Sequence, residues 1–418
     1  MDPLQVTTVD GPQVLDTSAL KVDKERGSSR VTISGIQRLW IAVRVKVRIL
    51  IIALTTYRSF SKALRASQGL KEFRKSIYGM SKRRRCMKLD GKYFFALYMP
   101  AFPSKIFDQF IRTELNRILP HSGSVNRFQT LYFAITNKCP LNCEHCFEWS
   151  NLNKPETFTV GELKTLIGDF QKAGCTQFHF TGGEPLVRVK RLEELIRFAS
   201  NASECWVLTS GHNLTIENAT ILKNAGATGV VISLDHFDPA IHNSFRGSDK
   251  AFSWAMNAVN NANSVKLLTA FSICLTRSFI SEKNLRQYAK LARDCGVSFV
   301  QLLEPKRVGR YESADVALTA EQLKILDTFY IDINFNKKYK DYPTFTYHGF
   351  YQRRMGCLSG GKWSVYVDSA GYVDACPFCH TRTYNARDII SGKVNLDRLQ
   401  MQGCPVYNNK SPSLVTMP

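Results

Sequence analysis

The sequence predicts an α/β protein built on a parallel sheet, with a basic extension before it and a small cysteine-rich unit after it. Three observations carry this. Between residues 128 and 303, strand-length apolar runs alternate with helical runs through six repeats, the pattern of a parallel sheet with right-handed crossovers. Gly174, Gly226 and Gly296 stand where helix C-terminal caps belong. At 418 residues the chain is long enough to bury a sizeable core and to hold more than one domain. Periodicity alone leaves open whether the sheet is flat or curled.

Residues 1–37 are mixed polar without periodicity and read as a disordered tail. Residues 38–127 form a basic, amphipathic extension. Between residues 38 and 88, fifteen Lys and Arg face the single Glu72, which accounts for most of the net charge of +21. Arg44, Arg48, Arg58, Lys62 and Arg65 share about a third of a helical circumference, and Leu39, Trp40, Val43, Val47, Leu50, Ile51 and Leu54 spread over much of the rest. That composition suits an interfacial helix attracted to anionic lipid. A solvated helix capping the core is an alternative, as is a strand over 43–49, where apolar and basic residues alternate. The longest charge-free run, 49–57, is nine residues, against the about 20 that a spanning helix needs. Few aromatics interleave with the charge, which speaks against nucleic acid. Asp90-Gly91 marks a turn, 93–98 a short strand and 105–118 an amphipathic helix. Cys86 lies in basic surroundings that would lower its pKa, but is read as incidental.

In the core, strands are expected at 131–136, 176–180, 205–209, 229–234, 268–275 and 298–303. Helices are expected at 160–173, 189–199, 216–225, 252–261 and 282–295. Residues 311–350, with a helix at 319–330, read as a connector. A hairpin with its turn at Ala370-Gly371 is expected in the last unit, residues 351–418.

Immediately after the first core strand come Cys139, Cys143 and Cys146, spaced C-x3-C-x2-C. Three thiolates on one short loop can hold three irons of a 4Fe–4S cubane and leave the fourth with a free position. An open coordination site is what makes a metal centre catalytic. The competing reading is a zinc knuckle, for which His145 is the obvious fourth ligand. After the second strand comes Thr181-Gly-Gly-Glu-Pro-Leu186. The twelve cysteines have no secretory address, since the N-terminus lacks a basic region followed by an apolar core. Metal in a reducing, cytoplasmic compartment is therefore expected, rather than disulfides.

The cysteine spacing, with His145 before the last cysteine, and the GGEP element resemble the radical S-adenosylmethionine (radical SAM) enzymes over roughly residues 128–310. The resemblance implies a partial (β/α)6 TIM-like barrel with chemistry at the C-terminal ends of its strands, a catalytic 4Fe–4S cluster on Cys139, Cys143 and Cys146, and S-adenosylmethionine as cofactor. It implies that Gly182, Gly183 and Glu184 receive the methionyl ammonium. Ser233 and Arg246 contact the cofactor, Arg246 through the methionyl carboxylate. Asn243 departs from the Asp that often follows the family's His. For Asp235, a ribose or substrate contact and a strand-end cap are both open.

Near the C-terminus, Cys357, Cys376, Cys379 and Cys404 suit a structural zinc or a fully ligated 4Fe–4S cluster, and spacing does not separate the two. The run C-x13-G-x4-C resembles the auxiliary-cluster units called SPASM or twitch domains, which favours one auxiliary 4Fe–4S cluster. Cys175, Cys205, Cys274 and Cys295 read as small buried residues.

The expected function is reductive cleavage of S-adenosylmethionine to a 5′-deoxyadenosyl radical that takes hydrogen from a substrate, first a peptide or protein side chain. Action on a lipid or isoprenoid chain by a membrane-associated enzyme is a second reading, and a non-enzymatic zinc-stabilised membrane adaptor a third. An electron donor such as a flavodoxin or ferredoxin is an implied partner. An anionic membrane surface, met through residues 38–86, would place the protein peripherally on the inner face of the membrane.

Overall fold

The computed structural model describes residues 31–78, 85–121, 128–357, 359–380, 382, 384–396, 399 and 404. The extension opens with β1 (Val31–Ser34), α1 (Gly35–Tyr57) and α2 (Phe60–Tyr78). It continues through β2 (Arg85–Leu89), β3 (Lys92–Phe94) and α3 (Lys105–Ile118). The strands pair antiparallel in the order β1-β2-β3. The tail assigned to residues 1–37 is corrected at its end: residues 31–37 make β1 and the start of α1, while residues 1–30 lie outside the described residues. The alternation over 43–49 is not a strand. Those residues are helical because Ile41, Ile52 and Ala53 face inward at helical spacing, onto Phe107, Ile111 and Leu115 of α3.

The core follows as β4 (Thr130–Ala134), α4 (Val160–Lys172), β5 (Gln177–Thr181), α5 (Val189–Ala199) and β6 (Glu204–Thr209). Next come α6 (Ile216–Ala225), β7 (Gly229–Ser233), α7 (Pro239–Arg246), α8 (Ala251–Ser264), β8 (Leu268–Cys274), α9 (Glu282–Asp294) and β9 (Phe299–Leu303). β4 to β9 pair in sequence order, each parallel to the next. All six expected strands and all five expected helices are present. α7 was not anticipated; its N-cap Asp238 accepts from Ala240 N and Ile241 N, and Pro239 starts it.

The chain ends with α10 (Ala320–Phe335), β10 (Thr344–Tyr347), α11 (His348–Met355), β11 (Ser364–Val367), β12 (Tyr372–Asp374), β13 (Tyr384–Asn385) and α12 (Ala386–Ile390). The stretch read as a mere connector supplies β10, which joins β9 in parallel. The β11–β12 hairpin also joins the main sheet, with β11 lying parallel to β4. The order β10-β9-β8-β7-β6-β5-β4-β11-β12-β13 makes a partial barrel of eight parallel strands, extended past β11 by the antiparallel pairings β11–β12 and β12–β13. At the N-terminal ends of the strands, Gln177 Nε2 donates to the Leu97 carbonyl at 3.3 Å, and Glu204 Oε1 accepts from Ala101 N at 2.7 Å. Leu97 and Ala101 pack there on Trp206, Leu268 and Phe299. The extension thus stops one end of the barrel, leaving chemistry to the other.

Candidate active site

β4 ends at Ala134 and releases the cysteine loop above the C-terminal ends of the strands. The loop is held from three sides. Gly183 N and Glu184 N donate to the carbonyls of Thr136 and Lys138, both at 2.8 Å. Asn153 N donates to the Asn137 carbonyl at 2.8 Å, and its side chain brackets Cys139, accepting from Cys139 N at 3.1 Å and donating to the Cys139 carbonyl at 3.3 Å. From the far side Arg310 N donates to the Cys146 carbonyl at 3.1 Å, and Tyr311 Oη donates to Glu144 Oε1 at 2.6 Å. The Arg310 guanidinium lies 3.7 Å above the Trp149 ring. Backbone meets backbone this closely only without side chains between: a Cβ on Gly182, Gly183 or Gly309 would stand 2.1, 2.3 and 2.3 Å from the carbonyl oxygens of Thr136, Lys138 and Cys146. The glycines of the GGEP element therefore seat the cysteine loop.

Glu184 is buried, and its carboxylate accepts from Leu186 N at 3.1 Å, Thr209 Oγ1 at 2.7 Å, Ser210 N at 2.8 Å and Ser210 Oγ at 2.6 Å. Burial raises its pKa against the lowering by these donors. Its four acceptor positions are filled by the protein, so Glu184 anchors the β5 loop to the end of β6. That differs from the expected role as acceptor for the methionyl ammonium. Arg246 ends α7 and is buried, with Nε donating to Asp235 Oδ2 at 2.6 Å and Nη1 3.8 Å from Cys143 Sγ. Burial opposes its charge, but Asp235 and the Cys143 thiol outweigh that and raise its pKa. Asp235 also accepts from Cys274 N at 2.9 Å. Burial works to raise the Asp235 carboxyl, yet Arg246 and the neighbouring imidazoles hold it below its ordinary value. Asp235 is thus a buried counter-ion. His145 stacks on Phe245 with ring centres 4.6 Å apart, and burial with nearby Arg246 brings its pKa down to about 4.

Cys357, Cys376, Cys379 and Cys404 come together in one cluster, brought there by the β11–β12 hairpin and its flanks. A cavity of about 680 Å³ is lined by both cysteine groups and by Gly182, Gly183, Glu184, Ser233, Asp235 and Arg246. Every site residue expected from sequence therefore reaches one chamber. Burial pushes Cys139 up to about 12 and Cys146 to about 11, so loading metal there must displace thiol protons. Cys86 is a correction: burial pushes its thiol up to about 11, and Arg38 only tempers the rise.

Sequence reasoning missed the acids between the two cysteine groups. Glu148 is buried, and its Oε1 accepts from Tyr366 Oη of β11 at 2.6 Å. Phe147 meets Phe378 and His380 edge-on, at 5.8 and 6.3 Å. Glu148 stands two residues after Cys146, and only the pairing of β11 with β4 brings Tyr366 to it.

The donor sets fit iron–sulfur clusters. Three cysteines on a backbone-clamped loop, and four more facing the same chamber, supply soft ligands. Among the described residues, no three His, Cys, Asp or Glu side chains are arranged for a single metal ion. A cubane places each thiolate on a different iron and does not require ligands that converge on one point.

Residues 133–292 match the Radical SAM superfamily. The chain is 26% identical over 305 residues to a protein of Oleidesulfovibrio alaskensis named AdoMet-dependent heme synthase, covering 64% of this chain and 77% of that one. It is 26% identical over 259 residues to the PqqA peptide cyclase of Streptomyces rochei, covering 60% and 70%. The fold is similar to Streptococcus suis SuiB bound to its precursor peptide SuiA, with a TM-score of 0.53 and 14% identity over 87% of this chain and 79% of that one.

Proposed function

We propose that this chain, a radical SAM iron–sulfur enzyme by its matching core and its enzyme relatives, is a maturase that takes hydrogen from a peptide or protein side chain. The observation that carries the reading is the shared chamber: one cavity of about 680 Å³ is lined by the C-x3-C-x2-C loop, the GGEP element and the four C-terminal cysteines. Cys139, Cys143 and Cys146 would hold the catalytic 4Fe–4S cluster, and Cys357, Cys376, Cys379 and Cys404 one auxiliary cluster. A cluster held there would supply the electron for reductive cleavage of bound S-adenosylmethionine. The chain's own contribution is placement. Gly182 and Gly183 fix the loop, Asp235 holds Arg246 beside Cys143, and Ser233 offers a hydroxyl at the end of β7. The extension, packed at the N-terminal ends of the strands, would exclude water from that end of the barrel.

A tetrapyrrole substrate is the second reading, supported by the 26% identity to the heme synthase over 64% of this chain. The protein, reconstituted anaerobically with iron and sulfide, would be supplied with reductant, S-adenosylmethionine and either a cell peptide fraction or a tetrapyrrole fraction. 5′-Deoxyadenosine formation together with a mass change in a peptide is expected. Turnover with tetrapyrrole alone would replace the peptide reading, and a zinc-loaded protein that leaves S-adenosylmethionine intact would end the enzyme reading.

A further inference from the structure

Among the described residues, ten of the fourteen large apolar side chains exposed to solvent lie between Val31 and Leu64. Most belong to α1. At roughly 100° per residue, Ile36, Leu39, Trp40, Val43, Val47, Leu50 and Ile51 fall on one outward stripe about 120° wide. The opposite face, with Ile41, Val45, Ile49 and Ile52, is spent on the extension's own core. A helix apolar on two opposite faces needs two apolar neighbours, and the fold supplies one. Ile36 is 85% exposed, Leu39 63%, Trp40 59% and Val43 55%. So dense a patch on a folded surface marks an interaction site.

The chemistry of the border identifies the partner. Arg44 and Arg48 flank the stripe on one side and Lys46 on the other, by the same helical geometry. Arg48 is paired with Asp108, but Arg44, Lys46, Arg58, Lys62 and Arg65 make no ion pair among the described residues. The Arg44 guanidinium stacks 4.7 Å above Trp40 and so stays on the rim of the stripe. Phe60 and Leu64 add exposed apolar surface at the start of α2. No helix among the described residues is long and apolar enough to cross a membrane. An aromatic and aliphatic strip about 24 Å long, edged by cations, is complementary to an interfacial layer of apolar chains beneath anionic headgroups.

We infer that the outward stripe of α1 docks this protein on the surface of an anionic bilayer. This site is separate from the chamber and needs neither cluster nor S-adenosylmethionine, so its failure leaves the proposed chemistry untouched. The test is flotation of the full-length protein with vesicles of phosphatidylcholine alone, or of phosphatidylcholine with phosphatidylglycerol. The protein is expected to float with the anionic vesicles only, and less as salt rises. The triple variant Leu39→Glu, Val43→Glu, Val47→Glu, altered only on the outward face, should lose at least tenfold in partitioning. Wild-type protein left unbound would overturn the inference. A dimer that forms without vesicles and dissolves in the triple variant would assign the stripe to a second copy and equally overturn it. Should the triple variant fail to fold, Trp40 decides. Brominated acyl chains should quench wild-type fluorescence, and Trp40→Phe should lack that quenching; equal quenching in both overturns the docking.

Discussion

At the residue scale the chamber rests on a few positions where a single atom decides the outcome. Gly309 has φ 58°, and a Cβ there would stand 2.3 Å from the Cys146 carbonyl. Gly91, at φ 76°, has open space around it. Gly309→Ala should therefore lower stability by about 2 kcal/mol or more and reduce iron bound at the loop, whereas Gly91→Ala should cost about 1 kcal/mol and leave iron unchanged. Iron assay and thermal melts compare the two, and equal iron content would remove Gly309 from the clamp. The cysteines predict a split. Cys143→Ala should abolish S-adenosylmethionine cleavage, while Cys379→Ala should spare part of it and lower iron from about eight to about four per chain. Full cleavage in the Cys143 variant would sink the catalytic assignment. These cysteines were legible because their chemistry lies in local spacing. The clamp of Asn153, Gly309 and Tyr311 was not legible, since Asn153 and the Gly309–Tyr311 turn lie far apart in the chain and close on the cysteine loop only once it is folded.

At the element scale, the β11–β12 hairpin carries buried acids whose titration can be read. Burial, with Glu148 and Asp374 nearby, raises Asp368 to about 6, although the backbone N–H groups of Tyr372 and Ala370 donate to it at 2.8 and 2.9 Å. An unfolded aspartate titrates near 3.9, so between about pH 4 and 6 the folded state holds the extra proton. Stability should thus fall as pH rises through that window, by roughly 2–3 kcal/mol from this group. Asn keeps the accepting oxygen and cannot ionise. The melting temperature of Asp368→Asn, followed against pH, should lack that fall, and curves parallel to wild type would refute the assignment. Sequence placed this hairpin and its turn but not its neighbour. Four residues of Ser364–Val367 match a strand of any sheet, and nothing local says that β4 is the partner. The same limit hid β10 within a stretch that reads as polar and aromatic. The long elements of the core were legible because each carries its own period and several carry caps: Thr159 and Glu162 form a full capping box at the start of α4.

At the scale of the whole molecule, the cysteine-rich end is part of the barrel rather than a unit hung beside it. β11 lies against β4, the strand that delivers the C-x3-C-x2-C loop, and Tyr366 reaches from β11 into that loop to donate to Glu148. The two cysteine groups are thus positioned by neighbouring strands of one sheet. Division into a core ending at residue 310 and a unit from 351 follows the chemistry of the residues but not the packing. Hydrophobic residues of β11 and β12 share one continuous core with those of β4 to β9. Cooperative unfolding is the consequence. Tyr366→Phe leaves a buried carboxylate short of one donor, at a cost of about 1–3 kcal/mol. Because sheet and hairpin melt as one, that loss should move a single transition down by a few degrees in calorimetry of the loaded protein. An early transition split off from an unshifted main one would show the C-terminal region to be separable, and would detach the four C-terminal cysteines from the barrel.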